Sequence, residues 1–79
     1  MMDENFEFYY KLIGQNIKKI RQARGLTQMQ LTNKSGEKID HAKISDIERA
    51  KEDFQFITLL KICRGLEISF VDLVNYKKE

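Results

Sequence analysis

Apolar residues recur at three- and four-residue steps through most of this chain. Phe6, Tyr9, Tyr10, Ile13, Ile17 and Ile20 trace one stripe, which predicts an amphipathic helix from about residue 6 to residue 24. Phe8, Tyr9 and Tyr10 together offer more aromatic surface than one helix face buries. Gly25 follows Arg24 as a left-handed stop. Two shorter patterns come next. Thr27, with Gln30 three residues on, forms a capping box; Leu31 is the main apolar residue, and the helix stops near Ser35-Gly36. Asp40 then caps a helix whose apolar positions, Ile44 and Ile47, lie three apart. Helices this short do not stand alone in water, so each must lean on something larger. Residues 50–54 form a polar connection in which Asp53 is expected to cap a fourth helix with the stripe Phe56, Leu59, Leu60, Cys63 and Leu66. Ser69 and Asp72 make another capping-box-like start, followed by Phe70, Leu73 and Val74, and Lys77-Lys78 suits the negative end of that last helix. The expected fold class is all-α, with five helices and no strand.

Composition narrows the class. Seventy-nine residues, 42% hydrophobic and 33% charged, suit one small globular domain with a modest core. With no proline and four glycines there is no linker composition, so the domain is expected to span residues 1–79. No apolar run approaches a membrane span, and the acidic start MMDENFE is unlike a signal peptide. The single Cys63 lies on an apolar stripe and reads as a core residue. One Cys and one His make neither a disulfide nor a zinc site. No metal, cofactor, small-molecule ligand or membrane partner is expected, and a cytoplasmic setting fits. An enzyme fails on parts: the lone His41 has no nucleophile motif, and there is neither a Gly-rich phosphate loop nor a matching carboxylate pair.

The net charge of +2 matters less than its distribution. Asp3, Glu4 and Glu7 make the first ten residues acidic. Residues 11–38 carry seven bases (Lys11, Lys18, Lys19, Arg21, Arg24, Lys34, Lys38) against Glu37 alone. This basic field on the first helix and the middle loop suits a phosphate backbone, although a solvated helix face has the same composition. Residues 39–53 are acidic again, through Asp40, Asp46, Glu48, Glu52 and Asp53.

Two short helices joined by a Gly-containing turn are the helix-turn-helix pattern, which plain helical hairpins share. Four pieces in order carry a resemblance: IGQNIKKIRQARGLTQMQL (Ile13–Leu31), KISDIERA (Lys43–Ala50), TLLKICRGLEIS (Thr58–Ser69) and VDLV (Val71–Val74). Across residues 12–74 the chain resembles the lambda repressor/Cro-type, or XRE, helix-turn-helix family, with the helix-turn-helix at 27–50. The resemblance implies a compact five-helix lambda-repressor-like domain that binds double-stranded DNA as a transcription regulator. It implies that the second short helix enters the major groove, with His41, Ala42, Lys43 and Asp46 at base edges. Lys43 suits guanine O6 and N7, Asp46 cytosine N4 and Ala42 a thymine methyl. Thr27 and Gln28 fall where the family contacts a backbone phosphate, with Lys38, Arg49 and Lys51 as further phosphate contacts. Arg21 and Glu48 match the family's internal ion pair and are read as structural.

A homodimer on a palindromic operator is expected, because one such helix covers too few base pairs for selective binding. The candidate interface is Phe70, Val74 and Tyr76, with the N-terminal aromatics second. Compact regulators of this kind resemble phage Cro proteins, restriction-modification controllers and antitoxins. Three features depart from the family pattern: about two extra turn residues at Glu37-Lys38, Thr32 in place of a small Ala, and Glu67 where a left-handed Gly is expected. The acids of residues 39–53 favour the competing reading, a protein-interaction module that retains the fold without the DNA role.

Overall fold

A computed structural model describes residues 4–36, 39–51 and 53–77. Within them the chain forms α1 (Glu4–Ala23), α2 (Gln28–Ser35), α3 (His41–Glu48), α4 (Phe56–Leu66) and α5 (Phe70–Val74), with no strand. Helix α2 packs mainly on α4, while α1 lies across α3 and α5. One core results, built from Ile17, Ile20, Leu31, Ile39, Ile44, Ile47, Leu59, Ile62, Cys63, Leu66 and Leu73. Burial raises the pKa of the Cys63 thiol above its ordinary value, as an apolar setting should.

Three short-range expectations hold as local chemistry. Thr27 Oγ1 accepts from the Gln30 amide (3.0 Å) and Gln30 Oε1 accepts from the Thr27 amide (2.9 Å), closing the capping box. Asp40 accepts from the Lys43 amide at 2.8 Å, and Ser69 from the Asp72 amide at 3.0 Å. Asp53 does not cap α4. Its carboxylate instead accepts the Tyr10 hydroxyl and the Phe54 amide, and Gln55 begins α4 with no side-chain cap.

Two stripes shift from the expected set. Phe6 and Tyr9 are each 61% exposed, because the first buried residue of α1 is Gly14 and its packing partners engage it from Tyr10 onward. In α4 the buried set is Leu59, Ile62, Cys63, Gly65 and Leu66; Phe56 is 58% exposed and Leu60 37%. Four of these fall at i, i+3, i+4 and i+7, and the fifth, Gly65, admits α2. A Cβ there would stand 2.6 Å from Ser35 Oγ and 3.0 Å from its amide nitrogen. Thr32 is buried in α2 with its hydroxyl donating to the Gln28 carbonyl (2.9 Å), so its polar atom is satisfied within the helix.

One ending closes three helices. A residue with positive φ follows each helical run: Gly25 (70°), Ala50 (54°) and Glu67 (58°). In each case its amide reaches back three residues, and the next amide reaches back five, at 3.0–3.1 Å. This is the Schellman arrangement, and it satisfies carbonyls left over at the helix end. Only the first of the three uses glycine.

Candidate nucleic-acid interface

The two short helices pack on one another, and the start of α2 meets the end of α3 through Gln28 and Glu48. Ile44 and Ile47 are fully buried and pin α3 to the core, which turns its opposite side outward. His41 and Ala42 are exposed there, and Asp46, one turn on from Ala42, is half-buried. Lys43 is half-buried as well and leans toward a cleft lined by Asp53, Phe54, Gln55 and Thr58 at the start of α4. The four residues expected at base edges therefore divide. His41, Ala42 and Asp46 share the outward face, and Lys43 stands at its margin beside α4.

At the start of α2 the capping box occupies the Gln30 amide, and the Leu31 amide bonds to the Thr27 carbonyl. The amides of Gln28 and Met29 are the first two of the helix and point out of it, as at any helix N-terminus. Thr27 is exposed. Gln28 is half-buried, and its side-chain amide donates to Glu48 Oε1 at 3.1 Å. Lys51 and Arg49 are exposed beside the end of α3. Lys38 and its turn neighbour Glu37 lie outside the described residues.

Behind this face sits a charged network. Arg21 Nε and Nη2 donate to Glu48 Oε2 and Oε1 at 2.6 and 3.1 Å, and Nη1 donates to the Leu26 carbonyl at 2.8 Å. Both side chains are buried, at 10% and 2% exposure. A two-pronged guanidinium–carboxylate contact of this kind satisfies charge and geometry together. It joins α1 to the end of α3.

The same inventory changes the meaning of the local acidity. Asp40 is engaged as a cap, Asp46 faces Arg49 Nη2 at 3.6 Å, and Glu48 is buried against Arg21. Asp53 holds Tyr10, whose hydroxyl keeps the carboxyl below its usual range; Glu52 lies outside the described residues. Four of the five acids thus have a partner; an arginine offsets the charge of Glu48 and faces Asp46, whereas Asp40 and Asp53 remain exposed.

Sequence reasoning passed over Gly14 and Asn16, and placed Tyr10 on the apolar stripe without its polar role. Gly14 has its missing Cβ within 2.4 Å of the Ile47 carbonyl oxygen and 2.9 Å of that of Glu48, so it sets how closely α1 approaches the end of α3. A lone glycine inside a strongly periodic helix was the available signal. Asn16 is buried and donates to the Leu73 carbonyl at 2.9 Å, tying α1 to α5. Tyr10 joins α1 to the α3–α4 connection through Asp53 and through an edge-on ring contact with Phe54, centroids 5.1 Å apart.

Comparison with known proteins agrees with this geometry. Residues 17–73 match the family model described as helix-turn-helix, and the chain belongs to that family. A curated relative, an uncharacterised HTH-type transcriptional regulator, y4dJ, from Sinorhizobium fredii (strain NBRC 101917 / NGR234), is 34% identical over 65 residues, 82% of each chain. Among solved structures, the wild-type restriction-modification controller protein C.Esp1396I superposes with a TM-score of 0.77 at 37% identity, covering 86% of both chains. A single-residue mutant of that protein gives 0.78 at 38% identity, covering 86% of this chain and 88% of the other.

Proposed function

We propose that the protein reads a specific duplex site as a homodimer, with α3 of each protomer in the major groove of one half-site. Its family and its relatives make it a DNA-binding regulator of transcription; the finer statements are the subject of the proposal. The observation that carries it is the exposed first turn of α3, on a helix tied to the start of α2 through Gln28 and Glu48. His41, Ala42, Lys43 and Asp46 are assigned to base edges. Thr27, Gln28, Arg49, Lys51 and Lys38 are assigned to the backbone, where they set register and salt dependence. The pairing of Glu48 with Arg21 and of Asp46 with Arg49 weakens the charge argument for a protein-interaction module.

Two-fold pairing is assigned to the α5 face. Phe70, Val74 and Tyr76 are half-buried, and Phe70 and Tyr76 rest on the core. Phe70 stacks edge-on against the exposed Phe56 at 5.1 Å, and Val71 beside it is 62% exposed. Together these side chains extend an apolar surface from α5 onto α4 of the kind that covers itself in a symmetric dimer. Likeness to a restriction-modification controller protein supports a compact regulator.

The test is selection of duplexes from a randomised pool of about 30 base pairs, long enough for two half-sites one helical turn apart, at near-physiological salt. The expected outcome is a two-fold symmetric consensus. A folded protein that enriches no sequence would overturn the proposal.

A further inference from the structure

The Glu48 carboxylate takes three N–H donors, two from Arg21 (2.6 and 3.1 Å) and one from the side-chain amide of Gln28 (3.1 Å). A carboxylate only accepts, so the orientation of that amide is decided chemically: its NH2 must face Glu48. One amide hydrogen is thereby committed to Glu48, and the second remains to donate. The same guanidinium that holds Glu48 also donates to the Leu26 carbonyl at 2.8 Å, fixing the chain as it enters α2. The first residue of α2 is therefore held through its side chain to the last residue of α3, and both are held to α1.

We infer that Glu48 is a positioning residue for DNA binding: it orients the Gln28 amide toward a backbone phosphate before the duplex arrives. This rests on the assignment of α2's start to the DNA backbone. An immobilised long polar side chain loses less freedom on binding. The pair also links the backbone-holding helix to the base-reading helix, so the two approach DNA in a fixed relation. Glu48 is then more than a structural ion-pair partner, and the fold and the interface draw on the same carboxylate.

Glu48→Asp separates the two roles. It keeps the charge and leaves Arg21, a long side chain, able to follow, but withdraws the carboxylate by roughly 1.5 Å, about one carbon–carbon bond, beyond reach of Gln28. Binding to a random-sequence duplex is measured for the wild type, Glu48→Asp, Gln28→Met and the double variant, with melting of each followed alongside. The expected result is a loss of roughly tenfold for Glu48→Asp, the order set by ordering one side chain, with an unchanged salt slope because Gln28 carries no charge. Introduced into the Gln28→Met variant, Glu48→Asp should change affinity by less than about twofold, because the side chain it would position is gone. An equal loss in both backgrounds, or none in either, overturns the inference while leaving DNA binding intact; a wild type that binds no duplex overturns the DNA assignment itself. Nuclear magnetic resonance of the free wild type gives a readout independent of variant folding. The Gln28 side-chain amide should be as ordered as the backbone, and a motionally averaged amide overturns the inference.

Discussion

Lys43 illustrates how far one residue's surroundings specify its role. Its backbone amide is bound by the Asp40 cap, its side chain stands between the outward face of α3 and the cleft at the start of α4, and guanine offers it two acceptors in the major groove. Lys43→Ala should cost about 1–3 kcal/mol on the selected site and relax preference at one base pair. Titration against selected and random duplexes checks this; equal losses on both would reassign Lys43 to the backbone. Tyr10 and Asp53 make a different residue-scale claim. The Tyr10 hydroxyl, hydrogen-bonded to Asp53, titrates above its ordinary 10.0, chiefly through that bond; Asp53 titrates below its ordinary 3.8, chiefly through the same bond and then the Phe54 amide. The depressed carboxyl contributes stability above the carboxylate range, and this is lost as pH falls through its folded pKa. The raised phenol contributes below pH 10.0, and this is lost as pH rises through its folded pKa. Melting followed across pH should show both edges in the wild type; in Tyr10→Phe the alkaline edge should go and the acid edge shrink, because the Phe54 amide still holds Asp53.

At the scale of elements, the helix endings make the sharpest prediction. Ala50 and Glu67 adopt the left-handed conformation that glycine supplies at Gly25. Relieving that strain, offset by the extra freedom glycine has when unfolded, should leave Ala50→Gly and Glu67→Gly each more stable by about 0.5–1 kcal/mol. Urea unfolding measures it. The loss of Glu67's contact to Lys34, 3.6 Å and exposed, subtracts little. The same endings show what was legible in the chain. Thr27, Asp40 and Ser69 act on neighbours three residues away, so their caps were readable directly. Asp53 has a cap-like neighbourhood too, but Tyr10, 43 residues distant, competes for it, and no local pattern contains that competition. The stripe of α4 held at Leu59, Cys63 and Leu66 and missed at Phe56 and Leu60 for a related reason. Choosing Ile62 over Phe56 and Leu60 requires knowing that α2 arrives at Gly65. In the candidate site, the cap of α2 and the exposed start of α3 were readable from the pattern and the family resemblance, whereas the bond from Gln28 to Glu48 spans 20 residues and belongs to the folded arrangement alone.

At the scale of the whole molecule, the apolar surface is unevenly placed. Phe56, Ile57 and Val71 are 58%, 53% and 62% exposed on one region of α4 and α5, while the N-terminal aromatics Phe6, Phe8 and Tyr9, each 61% exposed, form a second region on α1. The first of these is assigned to the dimer. Val71→Glu places a charge in that contact without disturbing the buried Leu73, so it should yield a monomer of unchanged helicity, read by sedimentation. Weaker binding to the symmetric site should accompany it, because each half-site must then be held alone. A dimer that survives the substitution would move the interface to the α1 aromatics.

The close seat of Gly14 against the end of α3 has a consequence for how such a protein diversifies. α3 is clamped at its C-terminal end by the Ile47 and Glu48 carbonyls lying on α1, by the Arg21 contact and by the turn at Ala50. Its N-terminal half is held by the buried Ile44 and by Ile39 just before the Asp40 cap, while His41 and Ala42 are exposed. If α3 reads DNA as proposed, residues 41, 42 and 46 can be exchanged by mutation without touching Ile44, Ile47 and Glu48, which fix the helix. Lineages descended from such a scaffold can change the sequence they recognise while inheriting the same fold unaltered.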